Sequence, residues 1–326
     1  MKILKKTRKQ IIGMGNAVLD VIVSCDEALL KTNNLKKGRM TIVDQSESDN
    51  ILKSVQPIKK SSGGSVANTM AGIAILGGNA SFCGKVKSDL LGTEFINNIK
   101  KSGVKYLCEP SKEGSPTARC LVFVTKDGER TMQTFLGASI HLGEKDIKED
   151  FFKDAGMLYI EGYLWSSESA RKAIKKAVSL AKKNNVLVIF SLSDSGLVNA
   201  FKQDFLNFIK SDVDILIGNE WEFFSLSGIK DLKDLSLFLN EMVSISVMTN
   251  GDKGAILFYN ETYKKSSAFL NKNIIDSTGA GDMFAAGFLS KYNEGIEIEK
   301  CVNFGCEVAS RILSQYGARP SSETFK

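Results

Sequence analysis

Short apolar runs recur along this chain, with amphipathic stretches between them. Ile11, Ile12, Val18, Leu19, Val21, Ile22 and Val23 make residues 10–15 and 18–24 read as strand. Runs rich in Ile, Val and Leu follow at 157–160, 186–191, 213–217, 245–249 and 255–258, and a shorter strand is expected at 80–86. Helical spacing appears at 65–77, opened by a Ser-Ser-Gly-Gly turn, and again at 90–101, 168–184, 231–243, 281–293 and 298–315. Continuously apolar strands are buried on both faces. The alternation therefore predicts an α/β fold, with a mainly parallel sheet between two helical layers.

Two stretches break the rhythm. Residues 116–137 read as a hairpin, Thr117 to Thr125 and Arg130 to Leu136, joined by Lys126-Asp127-Gly128-Glu129. Residues 39–45 read as one more strand outside the alternation. A small antiparallel sheet built from these insertions is expected to sit as a lid over the main sheet. The chain is then one domain, 1–326, with a discontinuous lid from about 17–60 and 114–138.

Composition narrows the function classes. The chain is 43% apolar and 25% charged, as an ordinary globular protein is. A net charge of +6 is too mild to argue for nucleic acid. Part of it lies in Lys2, Lys5, Lys6, Arg8 and Lys9, expected to be a solvated tail. A secretory leader is not expected there, because Gly13, Gly15, Asn16 and Asp20 interrupt the apolar stretch that follows. No apolar run approaches the roughly 18–20 residues of a membrane span, so neither membrane nor nucleic acid is an expected partner. Cysteines 25, 83, 108, 120, 301 and 306 form no Cys-x-x-Cys pair, and His141 is the one histidine, with no motif around it. A zinc site and a histidine-based nucleophilic mechanism are therefore not expected. Free thiols in a reducing cytoplasm fit these cysteines.

The most informative string is Asp276-Ser277-Thr278-Gly279-Ala280-Gly281-Asp282, followed by a helix. Glycines let successive amides curl into one concavity, and the helix adds the positive end of its dipole, which suits a phosphoryl group. Asp282 at the helix start either caps the helix or faces the pocket as a base for an attacking hydroxyl. The whole string resembles the second signature of the ribokinase-like (PfkB-type) carbohydrate and nucleoside kinases, with Ser277 in place of the usual Thr. Gly63-Gly64-Ser65-Val66-Ala67-Asn68-Thr69 resembles the first signature of that family. Thr249-Asn250-Gly251-Asp252-Lys253-Gly254 resembles its nucleotide loop, and Asn219-Glu220-Trp221-Glu222 its Asn-x-x-Glu motif. The four motifs occur in family order and span most of the chain.

This resemblance implies a ribokinase-like three-layer α/β/α fold and ATP-dependent phosphorylation of an alcohol. Asp282 is then the base, and Gly279, Ala280 and Gly281 hold the transferring group. Asn219, Glu222, Thr249, Gly251, Gly254 and Asn303 are implied on the ATP side, with Glu222 acting indirectly on Mg2+. Asp276 and Thr278 could hold a monovalent cation such as K+. Asn16, Asp20, Gly63, Gly64 and Asn68 are implied on the acceptor, although Asp20 by spacing alone could be a strand-end cap.

The opening segment, the hairpin and the string Tyr159-Ile-Glu-Gly-Tyr163-Leu164 look closer to the adenosine kinase branch. That branch closes apolar side chains over a purine, for which Met40, Phe123, Leu136, Tyr163 and Leu164 are candidates, unless they are simply lid core. Arg130 either closes onto the γ-phosphate or is a solvated turn residue. The acceptor is expected to be adenosine or, alternatively, a small sugar. Residues 191–196, Ser-Leu-Ser-Asp-Ser-Gly, depart from the family's usual Asp-x-Asn-type sequence. Gly13-Met14-Gly15 is not a dinucleotide fingerprint, because Val18 stands where a third Gly is needed, and 77–86 misses a P-loop by its spacing. A monomer and a homodimer are both compatible with the exposed strand edges.

Overall fold

The computed structural model describes residues 9–127, 129–271, 273–321 and 323–325. Residues 2–8 of the expected basic tail, and Gly128 of the hairpin turn, lie outside the described residues. The strands are β1 (Gln10–Met14), β2 (Val18–Ser24), β3 (Met40–Ile42), β4 (Lys59–Gly63), β5 (Ala80–Cys83), β6 (Lys105–Tyr106), β7 (Ala118–Val124), β8 (Arg130–Phe135), β9 (Ala155–Glu161), β10 (Leu187–Ser191), β11 (Ile215–Asn219), β12 (Ile245–Thr249), β13 (Ala255–Tyr259) and β14 (Thr262–Ser266). The helices are α1 (Glu27–Thr32), α2 (Gln45–Ser54), α3 (Ser65–Ile75), α4 (Leu90–Lys101), α5 (Glu168–Lys183), α6 (Ser195–Ala200), α7 (Lys202–Asp212), α8 (Glu220–Ser227), α9 (Leu232–Asn240), α10 (Ala280–Asn293) and α11 (Ile298–Ile312).

The larger sheet runs β14-β13-β12-β11-β10-β9-β1-β5-β6. It is parallel from β12 to β6 and antiparallel at β12–β13 and β13–β14. Its strands bury both faces, so each side of the sheet carries its own apolar core. One core contains Ile12, Phe190 and Phe223; the other contains Ile11, Ile189 and Phe288. This is the expected ribokinase-like α/β fold.

The apolar run 10–24 is not one strand. Met14 ends β1 in the larger sheet, and after a turn through Gly15 and Asn16 the chain enters β2 of the smaller sheet. That sheet has the order β3-β8-β7-β2-β4. It is mixed rather than antiparallel: β2 pairs antiparallel with β4 but parallel with β7, and β3 pairs parallel with β8. The expected strand at 39–45 shrinks to Met40–Ile42, because Asp44 leaves it to cap α2 in a reciprocal capping box with Glu47.

Alternation along β7 and β8 gives the smaller sheet two different faces. Leu121 and Phe123 pack with Val21 and Val23 beneath Leu30 of α1 and Ile51 of α2. Ala118, Cys120 and Val122 lie on the other face with Val18, Ile22, Val124 and Met132. Asp20 pairs with Cys120 in register, so it belongs to this second face. Arg130 belongs there too, opposite Val124.

Candidate active site

Helix α10 opens on Gly279, which has φ +83° and provides no side-chain cap. Ala280 N donates to Ser277 O at 3.2 Å and Met283 N to Gly279 O at 2.8 Å. The amides of Gly281 and Asp282 have no acceptor among the described residues, and a side chain at Gly281 would meet no atom within 4 Å. Open amides at a helix start form a ready anion site. Asp282 lies inside the first turn, so the capping alternative is set aside.

Its carboxylate is held from α3. Oδ1 accepts from Ser65 Oγ at 2.7 Å and Oδ2 from Asn68 Nδ2 at 2.9 Å. Burial pushes Asp282 up to about 6, against the lowering influence of the two hydrogen bonds and the Arg319 charge. It makes no ion pair among the described residues, and it lines a cavity of about 180 Å³ with Ser65, Tyr159, Ser193, Glu222 and Thr249. Asn68, expected at the acceptor, uses its amide nitrogen on Asp282 and leaves its buried Oδ1 unpartnered.

The residues expected at the acceptor lie against one another near this carboxylate. Gly64 has φ +92°, and a Cβ there would sit 2.3 Å from Asn16 O, so only glycine fits. A Cβ on Gly63 would sit 2.4 Å from Asp20 Oδ2, so the missing side chain makes room for that carboxyl. Asp20 is no strand-end cap, since it lies within β2. Burial pushes it up to about 7; Arg319 and Arg130 pull it down, and Asp282 pushes it further up. Asn16 N donates to Glu161 Oε1 at 2.7 Å, and Val66 N donates to Glu161 Oε2 at 3.0 Å. Glu161 is 1% exposed, and burial pushes it to about 7. It ties the Gly15–Asn16 turn to the start of α3.

On the opposite side of the cavity, Asn219 and Glu222 form a reciprocal capping box. Asn219 Nδ2 donates to Glu222 Oε1 at 2.6 Å, and Asn219 N donates to Oε2 at 2.9 Å. Burial raises Glu222 to about 7, and Asp194 adds to the rise. Thr249 Oγ1 donates to Gly218 O at 3.3 Å beside them. Gly251 and Gly254 have φ +54° and +93°, as their tight turn requires, but neither lines the cavity. Asn303 is exposed on α11, also outside the cavity lining. Ser193, in the segment that departs from the family pattern, holds φ +69°, a strained value for a non-glycine. Its Oγ accepts from Gly162 N at 2.9 Å, and its carbonyl accepts from Tyr163 Oη at 3.0 Å.

Several expectations need correction. Phe123 is 0% exposed and points to the α1–α2 face, because strand alternation sends it away from Asp20. Leu164 is 1% exposed and packs into the main core near Trp165, because its short 3-10 turn aims it inward. Met40 does share the Asp20 face, opposite Met132, and is 47% exposed. Leu136 is half-buried at the end of β8. Arg130 is not a solvated turn residue: it pairs with Asp276. Asp276 also accepts from Thr278 N at 3.0 Å, Thr278 Oγ1 at 2.7 Å and Gly317 N at 2.7 Å. Of the two residues expected at a monovalent cation, Asp276 thus has its carboxylate committed to protein donors, and Thr278 is one of those donors. Ser65, Glu161 and Arg319 were not foreseen. Ser65 stood inside a recognised motif; Arg319 carried no sequence signal.

A mainly parallel α/β sheet with open amides at a helix mouth, beside a held carboxylate, suits transfer of a phosphoryl group to an alcohol. Residues 31–324 match the pfkB family carbohydrate kinases, and the chain belongs to that family. The adenosine kinase of Sinorhizobium meliloti superposes with a TM-score of 0.88 at 34% identity, covering 96% of each chain. A Rhizobium etli protein described as a "probable sugar kinase" superposes with a TM-score of 0.89 at 36% identity, covering 98% of this chain and 97% of its own. The 5-dehydro-2-deoxygluconokinase of Geobacillus thermodenitrificans is 26% identical over 274 residues, 81% of each protein. Among the described residues no helix is long and apolar enough to cross a membrane.

Proposed function

We propose that this kinase phosphorylates the 5′-hydroxyl of a nucleoside, adenosine first, with Asp282 as the base. The observation that carries the reading is the pairing of the Asp282 carboxylate, aimed by Ser65 and Asn68, with the uncommitted amides of Gly281 and Asp282. The carboxylate takes the proton from the attacking hydroxyl while the amides stabilise charge on the migrating phosphoryl. Asp20, whose carboxyl occupies the room that Gly63 leaves, accepts hydrogen bonds from acceptor hydroxyls. Preference for a purine is supported by the apolar Asp20 face of the smaller sheet, with Met40, Ile22, Val122 and Met132, and by the 34% identity to an adenosine kinase. That sheet acts as the lid, excluding water when it closes.

ATP reaches the site with a divalent cation, Mg2+ in this reading. Glu222 suits a cation nearby, because it is buried, lifted to about 7 and lines the cavity without an ion pair among the described residues. Bound there, the cation would neutralise phosphate charge; Asn219 and Thr249 orient the surrounding wall.

A second reading keeps the chemistry and exchanges the acceptor for a sugar or sugar acid. The 26% identity to a 5-dehydro-2-deoxygluconokinase favours it. Assay of ADP release with adenosine, inosine, guanosine, ribose, fructose and 5-dehydro-2-deoxygluconate separates the two. Asp282→Asn is expected to lose about 10²-fold or more in kcat on the preferred acceptor. Near wild-type turnover in that variant would remove Asp282 from the mechanism. The wild-type rate is expected to fall as pH drops through about 6, where Asp282 takes up a proton.

A further inference from the structure

Residues 316–320, Tyr-Gly-Ala-Arg-Pro, follow the last helix and match none of the four motifs. Each of the middle three touches the site. Gly317 N donates to Asp276 Oδ2 at 2.7 Å. Ala318 lies so close to the anion loop that a Cβ on Gly279 would sit 2.6 Å from its Cα. Arg319 turns inward beneath the Gly63–Gly64 turn. Its Nε and Nη2 donate to Ser62 O at 2.9 and 2.6 Å, and its Nη1 donates to Ala67 O at 2.6 Å.

Those two carbonyls flank the turn that bares Asp20 and begins α3, and α3 in turn holds Asp282 through Ser65 and Asn68. The guanidinium therefore grips one short segment on which both ends of the acceptor pocket depend. Its planar fork bridges two carbonyls, which an ammonium cannot do with the same geometry. Two of its five N–H donors have no acceptor among the described residues. Its charge also acts on both carboxylates, lowering Asp20 and Asp282 against the burial that raises them. Burial lowers Arg319 itself to about 10, so it stays charged at neutral pH.

We propose that Arg319 is a positioning residue of the phosphotransfer site, clamping the Gly63–Gly64 turn and supplying the fixed positive charge shared by Asp20 and Asp282. The proposal rests on the phosphotransfer reading above. Other charged or titratable groups face the same carboxylates. Arg130 of β8 and the Cys120 thiol of β7 face Asp20, and Tyr159 and Glu161 of β9 and Tyr163 after it face Asp282. All of them remain when Arg319 is replaced, so a change in the pH profile reports on Arg319 alone.

The test measures kcat and acceptor KM from pH 5 to 9 for wild type, Arg319→Gln and Arg319→Lys, with the preferred acceptor and ATP. Arg319→Gln is expected to move the acid limb of kcat/KM up by about one pH unit and to lower kcat/KM at pH 7 by about tenfold or more. Arg319→Lys keeps the charge and loses the fork; its acid limb is expected at the wild-type position, with acceptor KM raised several-fold. An unshifted acid limb in a folded Arg319→Gln protein overturns the proposal. If that variant does not fold, Arg319→Lys decides: an unchanged acceptor KM overturns the clamp. A wild-type protein that turns over no acceptor overturns the phosphotransfer reading as well, whereas wild-type turnover with unshifted variants removes only the role of Arg319.

Discussion

Asp20 carries a charge in surroundings that work against it. Burial lifts it from 3.8 to about 7 despite two arginines, so the folded protein holds its proton over a pH range where the unfolded chain has released it. The sign of the linkage follows. The stabilisation from this group is fully present below the unfolded value and is lost as pH rises through about 7. Asp20→Asn, neutral at every pH, is expected to raise the Tm of the ligand-free protein most at pH 8, by roughly half as much at pH 5.5, and by little below about pH 4. Under the proposed function the same variant loses acceptor phosphorylation, the usual exchange of activity for stability at a strained site. A lowered Tm at pH 8 would mean that Arg130 and Arg319 already compensate the buried charge. At this scale the motif strings were legible because glycines announce where the backbone must bend. Gly64 needs its positive φ whatever surrounds it. Glu161 stands in the Tyr159–Leu164 string, but its role as a strut left no mark there, because its partners, Asn16 N and Val66 N, are backbone amides that no side-chain pattern marks.

At the scale of elements, the smaller sheet shows how one residue of register decides which side chains share a face. Both Val122 and Phe123 sit in an apolar run, and composition alone cannot say which shares a face with Asp20. The pairing of Asp20 with Cys120 settles it: Val122 and Met132 share the Asp20 face, and Phe123 does not. Two substitutions are expected to separate accordingly. Met132→Glu raises acceptor KM at least about tenfold with little loss of Tm, since Met132 is half-buried on the cleft side and a charge there opposes an apolar ligand face. Phe123→Ala costs about 3–5 kcal/mol of stability, read by denaturant unfolding, and leaves acceptor KM unchanged in the folded fraction. The reverse pattern would place the purine on the α1–α2 side. The helix expected at 168–184 came close to α5, which Ser167 caps by a local signal, whereas α1, α2, α6, α7 and α8 were not among the helices expected.

At the scale of the molecule, the two sheets meet where the site is. The Arg130–Asp276 pair joins the hairpin to the anion loop, and Arg319 joins the C-terminal segment to the turn after β4. A ligand that fills the space between them binds only the folded protein. Adenosine at about 100 times its Kd is expected to add roughly 2.7 kcal/mol of stability, seen as a rise in Tm, and to slow hydrogen exchange in β2 and β7. An acceptor sugar that stabilises where adenosine does not would favour the second reading.

What the sequence determined by itself was local in cause. Period and punctuation set the α/β alternation, and glycine spacing exposed the anion loop. Four ordered motifs marked the kinase family and named Asn219, Glu222, Thr249, Gly281 and Asp282, which line the cavity. What only the tertiary structure decided was long-range. It split the 10–24 run between two sheets, made the smaller sheet mixed, turned Phe123 and Leu164 into core, and joined Arg130 to Asp276. It also brought Arg319 beneath a turn more than two hundred residues earlier in the chain. The reason is physical. Backbone preference and helix capping act over a few residues and leave a trace in sequence. Register, facing and the pairing of buried charges are fixed only when distant segments pack and lose their water.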